Sequence, residues 1–427
     1  MTDVGREMYA MIAELYPLCR SITGNGVRRS LEIIGRAFPL HVHEVPSGTP
    51  VLDWTIPREW NIRDAYVAGP GGERVVDFQA SNLHVVSYSV PVRARMTLEE
   101  LRPRLHTRPD FPEVIPYRTS YYTETWGFCL SQRQLDGMPA GEYDVTIDAS
   151  LEPGSLTYGE GYVEGSTDDE VLISCHICHP SLANDNLSGI ALVAFLARWL
   201  ALAPRRYSYR FLFIPGTIGS VTWLARNEAR VGRVKHGLVI AGVGADGPFT
   251  YKRSRRGAAE IDRAAVHVLR HQGGGFAVQD FSPYGYDERQ FCSPGFNLPM
   301  GCFMRASHGE YREYHTSADD LSLVTPEALA VSLRTCQAIV DVLEGNGRYL
   351  NQNPKGEPQL GKRGLYRAVG GELDRQSCEL AMLWVLNLSD GSHTLLDIAD
   401  RADLAFGHVR AAAAVLVDHG LLKAASA

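Results

Sequence analysis

Apolar positions change texture several times along the chain. Between Glu7 and Phe38 they recur at helical spacing, Met8-Met11-Ile12-Leu15 and Leu31-Ile34-Ala37, on either side of Thr23-Gly24-Asn25-Gly26. The period and the turn-forming interruption predict a helical hairpin. From about Val51 come short alternating or β-rich runs (VLDWTI, AYVAG, RVVDF, LHVVSYSVPV, YDVTID, GSLTYGEGYV) broken by Pro, Gly and Asn, which predict a mostly β unit. Compact apolar runs follow, VLISC, RFLFIP, HGLVIAGVG and LPMGCFMR, alternating with helical segments such as SGIALVAFLARWLALA. This is the pattern of a mixed sheet with helices on its faces. Asp185, Asn186 or Ser188 is expected near the N-cap of that apolar helix. Beyond the polar linker NQNPKGEPQLGKRG, three helical patterns (CELAMLWVLNL, TLLDIADRA, FGHVRAAAAVLVDHG) and a short LLKA predict a small winged-helix-like domain with LLKA starting the wing.

Composition narrows the function classes. A chain of 427 residues, 45% hydrophobic and 21% charged, is expected to fold into two or three compact units. The opening MTDVGREMYAMIAELYPLC mixes acids into its apolar positions, so no signal peptide is expected, and no run is apolar enough to span a membrane. Eight cysteines, several inside apolar runs (Cys129, Cys302, Cys336), read as reduced thiols of a cytoplasmic protein. A net charge of −7 argues against general nucleic-acid affinity. The tail repeats that argument: from Glu372 onward acids outnumber bases, and the would-be recognition helix offers only His408 and Arg410. The tail is therefore expected to be a packing module and a candidate route to a homo-oligomer.

The chemistry concentrates where open α/β sheets place it, in the loops after the strands. A catalytic zinc site wants three N or O ligands with one position left open. The loop after VLISC offers His176, His179 and Asp185 within ten residues, with Asp185 near a helix start where a carboxylate suits the dipole. GEYREYHTSADD, after another buried strand, is expected to return His315 to the same edge of the sheet. Cys178 keeps two other readings open: a structural zinc site, weakened because such sites close four ligands around the metal, and a cysteine nucleophile, which needs a surrounding that favours thiolate.

Nearly the whole chain resembles the bacterial aminopeptidase-like proteins of polysaccharide and natural-product biosynthesis loci. Residues 171–320 in particular resemble the zinc-dependent fold of leucyl aminopeptidases and glutamate carboxypeptidases. The resemblance rests on CHPSLANDNLSG (Cys178 to Gly189), IPGTIGS (Ile214 to Ser220), GYDERQFCSPGFNLP (Gly285 to Pro299) and EYREYHTSADD (Glu310 to Asp320), with VLDWTIPREWNIRDAYV and PQLGKRGLY in support. It implies an α/β fold: a three-layer αβα aminopeptidase-like domain (1–50 and 160–350), an inserted mostly-β domain (51–159) and a C-terminal winged-helix-like domain (365–427). It also implies zinc. Strand-end alignment favours His176 as the first ligand, and the CHPSLAND motif favours His179, which is taken here beside Asp185 and His315.

The departures from the peptidase pattern are as informative. Two-zinc aminopeptidases carry a Glu-Glu pair after the second strand and an Asp after the third, where this chain has Gly216-Thr217 and about Ala241-Gly242. One ion is therefore expected rather than two, and the proton-accepting Glu is missing. Asp287, Glu288 and Glu313, with Glu310 beside the last, are the acids placed to substitute; each is equally a solvated charge or a partner for a nearby arginine. Arg289 and Arg118 are candidates to bind a substrate carboxylate or phosphate. Tyr121, Tyr122 and Trp126 are candidates to roof a cleft, or ordinary packing residues. The expected function is a zinc-dependent hydrolase acting on an amide-like bond of a small-molecule or peptide-like substrate; the alternative is a metal- or ligand-binding protein that has lost hydrolysis.

Overall fold

The structure, a computed structural model, describes residues 2–305, 307–365 and 372–425. Met1, Ala306, residues 366–371 and residues 426–427, which fall within the expected domains, lie outside the described residues. The chain divides into two compact units, Met1–Gly257 with Ala277–Leu333, and Ala258–Phe276 with Arg334–Ala427.

The first unit is organised by an eight-stranded sheet whose centre is Glu170–His176, the VLISC run. It is buried along its whole length because Ser208–Ile214 and Val234–Ile240 flank it in parallel, and such strands read as continuous apolar runs rather than alternating ones. Met300–Met304 lies parallel beside Val234–Ile240. Antiparallel strands extend the sheet at both sides: Ser155–Val163 and His41–Pro46 on one, Phe249–Lys252 on the other, with Phe276–Gln279 at that edge. Four parallel strands thus deliver His176, Ile214, Ile240 and Met304 to one edge of the sheet.

The hairpin of the opening forms as helices Thr2–Leu15 and Asn25–Ala37, and both pack against the buried helix Gly189–Leu200. Gly24, at φ 96, makes the turn between them. The β-rich region contains a four-stranded antiparallel sheet in the order Arg74–Asp77, Glu59–Ala68, Glu142–Glu152, Val92–Thr97. This sheet shares the first compact unit with the large one. Ser155–Val163, which straddles the expected boundary at 159/160, belongs entirely to the large sheet.

In the second unit, helices Glu372–Leu388, Leu395–Ala402 and Phe406–Asp418 correspond to the three helical patterns. Thr394 starts the middle one with a capping box: its hydroxyl accepts from Asp397 N (3.1 Å) while the Asp397 carboxylate accepts from Thr394 N (2.7 Å). LLKA contributes Leu422–Ala424 to a three-stranded sheet in which Arg348–Asn351 is central. That central strand lies ahead of the start expected at 365, because the wing needs a partner and the nearest chain before the linker supplies it. Among the described residues, no helix is long and apolar enough to cross a membrane.

Candidate metal centre

His176 is the last residue of the central strand, and the chain then turns through a buried loop into Ala183–Ser188, a wide turn in which Asp185 and Asn186 leave helical geometry. Three sets of hydrogen bonds hold this turn. Asp319 accepts from Asn184 N (2.5 Å) and Asp185 N (3.0 Å), and its carbonyl accepts from Ala183 N (2.9 Å). The Asn184 side-chain oxygen accepts from Gly244 N (2.9 Å) and Ala245 N (3.1 Å), and Asn186 donates to Ile240 O (3.0 Å). Arg20, fully buried, donates to the His179 carbonyl from two nitrogens (3.1 and 2.8 Å) and to Leu15 O (2.6 Å). Ser188, one of the three residues expected near the N-cap of Gly189–Leu200, is that N-cap but makes no side-chain cap bond. Ser188 Oγ donates to Asn184 O (2.7 Å) and accepts from Val243 N (3.0 Å), serving the loop rather than the helix.

The result is a cluster of donors around one carboxylate. Asp185, with no exposed surface, has one oxygen 2.9 Å from His176 Nε2 and the other 3.1 Å from His315 Nε2. His176, His179 and Asp185 each present a ligand atom, all within 4.8 Å of one another, and among the described residues no other such group occurs. Both candidates for the first histidine are therefore present together, while His315, from the distant loop, lies outside that group and hydrogen-bonds the Asp185 carboxylate. Aromatic rings fix the imidazoles: Tyr286 stacks on His176, Tyr314 on His315 (centroids 3.9 Å apart), and Tyr117 meets His179 and His315 edge-on.

The cluster opens into a cavity of about 160 Å³ whose walls include Gly216, Thr217, Asp287 and Arg289. Tyr121, Thr217 and His315, all on this cavity, have positive φ (29°, 61° and 54°). Non-glycine residues in that region cost of order 1–3 kcal/mol each and gather at sites where function constrains the backbone.

Electrostatics separate the roles. Burial alone would push the Asp185 carboxyl up, but His179, His176 and His315 hold it well below the usual carboxylate range. Burial pushes the His179 imidazole well below its ordinary value, toward the neutral form that ligates a metal. Burial raises Asp287, against the opposing pull of His176 and the Thr217 N–H, which donates to it at 2.6 Å. Burial also pushes the Cys178 thiol up to about 12, the opposite of what a cysteine nucleophile needs.

The residues fit a metal ion. Among the described residues, His179 Nδ1 is buried without a hydrogen-bond partner beside two other donors, and an unsatisfied buried nitrogen is costly unless something occupies it. The other acids disperse. Glu288 faces Lys252 (2.8 Å) in a neighbouring chamber, and Glu313 is half-buried and off the cavity wall. Arg289 lines the cavity and donates to Thr217 Oγ1 (3.0 Å); Arg118 is exposed and does not line it. Tyr121 lines the cavity and its hydroxyl meets that of Tyr117 (3.0 Å). Tyr122, exposed, packs edge-on against Trp54, and Trp126 packs against Arg104 and Phe128; neither lines the cavity. The supporting residues that sequence reasoning missed are Arg20, Asn184, Tyr117, Tyr286 and Asp319. Asn184, Tyr286 and Asp319 stand inside the quoted motifs, which was the available signal.

Comparison with known proteins identifies the family and the fold. Residues 9–346 match the family described as a domain of unknown function (DUF4910), and residues 347–424 match a winged helix-turn-helix family. A Clostridium acetobutylicum protein, provisionally named a polysaccharide biosynthesis protein with aminopeptidase-like domain, is 53% identical over 422 residues, covering 99% of this chain and 97% of its own. A crystal structure of a provisionally assigned peptidase from Clostridium acetobutylicum superposes with a TM-score of 0.95 at 51% identity, over 99% of this chain and 97% of that one. A zinc aminopeptidase from Bacillus subtilis shares the fold at a TM-score of 0.58 and 13% identity, over 79% of this chain and 94% of that one. The chain belongs to the DUF4910 family of aminopeptidase-like proteins and carries a C-terminal winged helix-turn-helix domain.

Proposed function

We propose that this chain is a zinc-dependent hydrolase with a single ion, acting on an amide-like bond of a small substrate in a biosynthetic pathway. The observation that carries the reading is the group of His176, His179 and Asp185, with the orphaned His179 Nδ1, beside an acid-bearing cavity. The donor count favours one ion. Two ions sharing Asp185 would need about two further protein ligands each, and the positions after Ser208–Ile214 and Val234–Ile240 are Gly216-Thr217 and Ala241-Gly242, without a metal-binding side chain. His176, His179, His315 and Asp185 suffice for one.

A bound zinc polarises a carbonyl and lowers the pKa of water. The chain's own residues supply the rest. Asp287, raised by burial and held by the Thr217 N–H with the Ser220 hydroxyl 3.1 Å away, takes the proton from the attacking water. It then returns the proton to the leaving amine. Arg289, anchored on Thr217, orients an anionic group of the substrate. The reading includes a cytoplasmic setting, and the relative's name supports a place in polysaccharide biosynthesis. The acidic winged-helix domain makes protein contacts rather than nucleic-acid ones.

Gly216 favours a second reading, a ligand-binding protein without turnover, because no carboxylate stands where peptidases carry theirs. Elemental analysis of the parent and of His179→Ala, Asp185→Ala and His315→Ala, followed by an amide-substrate screen of the parent and Asp287→Asn, separates the two. The hydrolase reading expects about one zinc per chain, lost in the ligand variants, and a fall of about 10²–10⁴ in kcat for Asp287→Asn with zinc retained. A metal-free parent overturns it. Zinc without turnover on any amide leaves the binding protein.

A further inference from the structure

A second chamber of about 100 Å³ adjoins the metal cavity and shares Gly285, Tyr286 and His308 with it. One wall is a buried ion pair: Glu288 is fully buried, Lys252 is 4% exposed, and Lys252 Nζ donates to Glu288 Oε1 (2.8 Å) and to Tyr284 O (2.6 Å). The other carboxylate oxygen, Glu288 Oε2, is buried with no hydrogen-bond partner among the described residues, as are the Tyr286 hydroxyl and His308 Nδ1. An unmet polar group in such a place costs about 1–3 kcal/mol, more when charged. Three around one small chamber therefore imply an occupant.

Gly285 keeps the chamber open to the pair. A Cβ there would stand 2.3 Å from Glu288 Oε1 and 2.8 Å from Lys252 Nζ, both inside contact distance.

The chemistry of the walls selects the occupant. Lys252 and Glu288 cancel, and Glu310, the third charged residue on the lining, is exposed and screened by solvent, so no buried charge is left uncompensated. A hydroxyl suits all three orphans, donating to Glu288 Oε2 while accepting from the Tyr286 hydroxyl or from His308 Nδ1–H. The volume is that of about three waters at roughly 30 Å³ each, enough for a fragment with one or two hydroxyls. The rings of Tyr284 and Tyr286 meet His308 edge-on (centroids 4.9 and 4.8 Å), giving the chamber apolar faces for C–H groups.

We propose that this chamber is a substrate subsite for a hydroxylated group, so that the amide presented at the metal cavity is carried by a polyol, in chemical class an N-acyl amino sugar. The inference rests on the hydrolase reading for its reaction. The C–N bond breaks, water supplies oxygen to the acyl carbon and a proton to the leaving nitrogen, and a carboxylic acid and a free amino sugar result.

The test uses two matched probes on the full chain: N-acetylglucosamine, and N-cyclohexylacetamide, which has the ring and the amide but no hydroxyls. Titration calorimetry is expected to show at least tenfold tighter binding of N-acetylglucosamine, and a loss of about tenfold in Tyr286→Phe and in Glu288→Gln, the worth of one hydrogen bond to a buried partner. Equal binding of the two probes, binding of neither, or a preference unmoved in both folded variants overturns the subsite. Because Tyr286→Phe keeps the ring and its packing, it decides the matter should Glu288→Gln fail to fold. Repeating the titration with His179→Ala separates the two readings: a sugar preference that persists in protein unable to hold zinc supports the subsite even if hydrolysis fails. Zinc binding in the parent without the preference sinks the subsite alone.

Discussion

Asp185→Asn should uncouple zinc from the stability of the first unit. The substitution preserves shape but removes the carboxylate whose two oxygens lie 2.9 Å from His176 and 3.1 Å from His315, the one carboxylate in the donor set. Zinc at 100 times its dissociation constant stabilises a folded state that binds it by about 2.7 kcal/mol. At roughly 2 °C per kcal/mol, the low end for a unit larger than 200 residues, the parent's first thermal transition should rise by about 5 °C. If the variant binds about a hundredfold more weakly, the same zinc concentration contributes only about 0.4 kcal/mol, and the transition should move by about 1 °C. Differential scanning calorimetry on chelator-stripped protein, with and without zinc, reads both numbers, and elemental analysis confirms loading. Equal shifts in parent and variant would refute the assignment of Asp185 as a ligand, and no shift in the parent at saturating zinc would refute the centre itself.

Other consequences follow from the same geometry. An ideal Cβ at Gly216 meets only Cys178 Sγ at 3.5 Å and His176 Cβ at 3.7 Å, ordinary contacts, so Gly216→Glu should fold. On an Asp287→Asn background it should restore at least about tenfold of the lost kcat, since a positioned base contributes about 10²–10⁴; no recovery in a folded, zinc-loaded double variant would argue against a base acting from this side. Glu170→Ala removes a bidentate partner (2.7 and 2.8 Å) from buried Arg210. Denaturant unfolding should show a loss of about 3 kcal/mol, the low end for breaking a buried pair because Glu160 still faces the guanidinium. Arg28 holds the Glu59 carboxyl down to about 2 through two hydrogen bonds, and a depressed carboxyl stabilises above its unfolded pKa and loses that contribution as pH falls. The parent's advantage over Glu59→Gln, on the order of 2 kcal/mol at neutral pH after solvent screening of Arg28, should therefore shrink between about pH 4.5 and about pH 2; an advantage constant across that range would refute the pairing.

The elements most legible in the sequence were those whose environment is uniform. VLISC, RFLFIP and HGLVIAGVG are continuous apolar runs because parallel neighbours flank them and residues on both of their faces are buried, and a run of that kind admits few other placements. His176 was legible as a ligand candidate for the same reason: it ends the strand, so its position follows from the sheet. What supports the candidate ligands was not legible. Arg20 reaches His179 across 159 residues and Asp319 reaches Asn184 across 135, and neither is announced by local periodicity. The aromatic run YRTSYYTETWGF has no regular period either, so nothing local separates Tyr121, which lines the cavity, from Trp126, which packs on Arg104.

The acids show why adjacency misleads. Asp287 and Glu288 are neighbours at the start of the short helix Glu288–Phe291, yet Asp287 bonds Thr217 N on the metal cavity while Glu288 bonds Lys252 in the side chamber. Successive helical residues point about 100° apart, so one peptide step of about 3.8 Å between α-carbons sends the two carboxylates to opposite sides of the wall that Gly285 and Tyr286 share. A substrate spanning both chambers would then meet its proton acceptor and its hydroxyl anchor from consecutive residues. Moving either carboxylate would displace the other, so Asp287→Glu, which keeps the charge but lengthens the side chain, should lower kcat and weaken N-acetylglucosamine binding together. Loss of kcat alone would mean that the two chambers act independently.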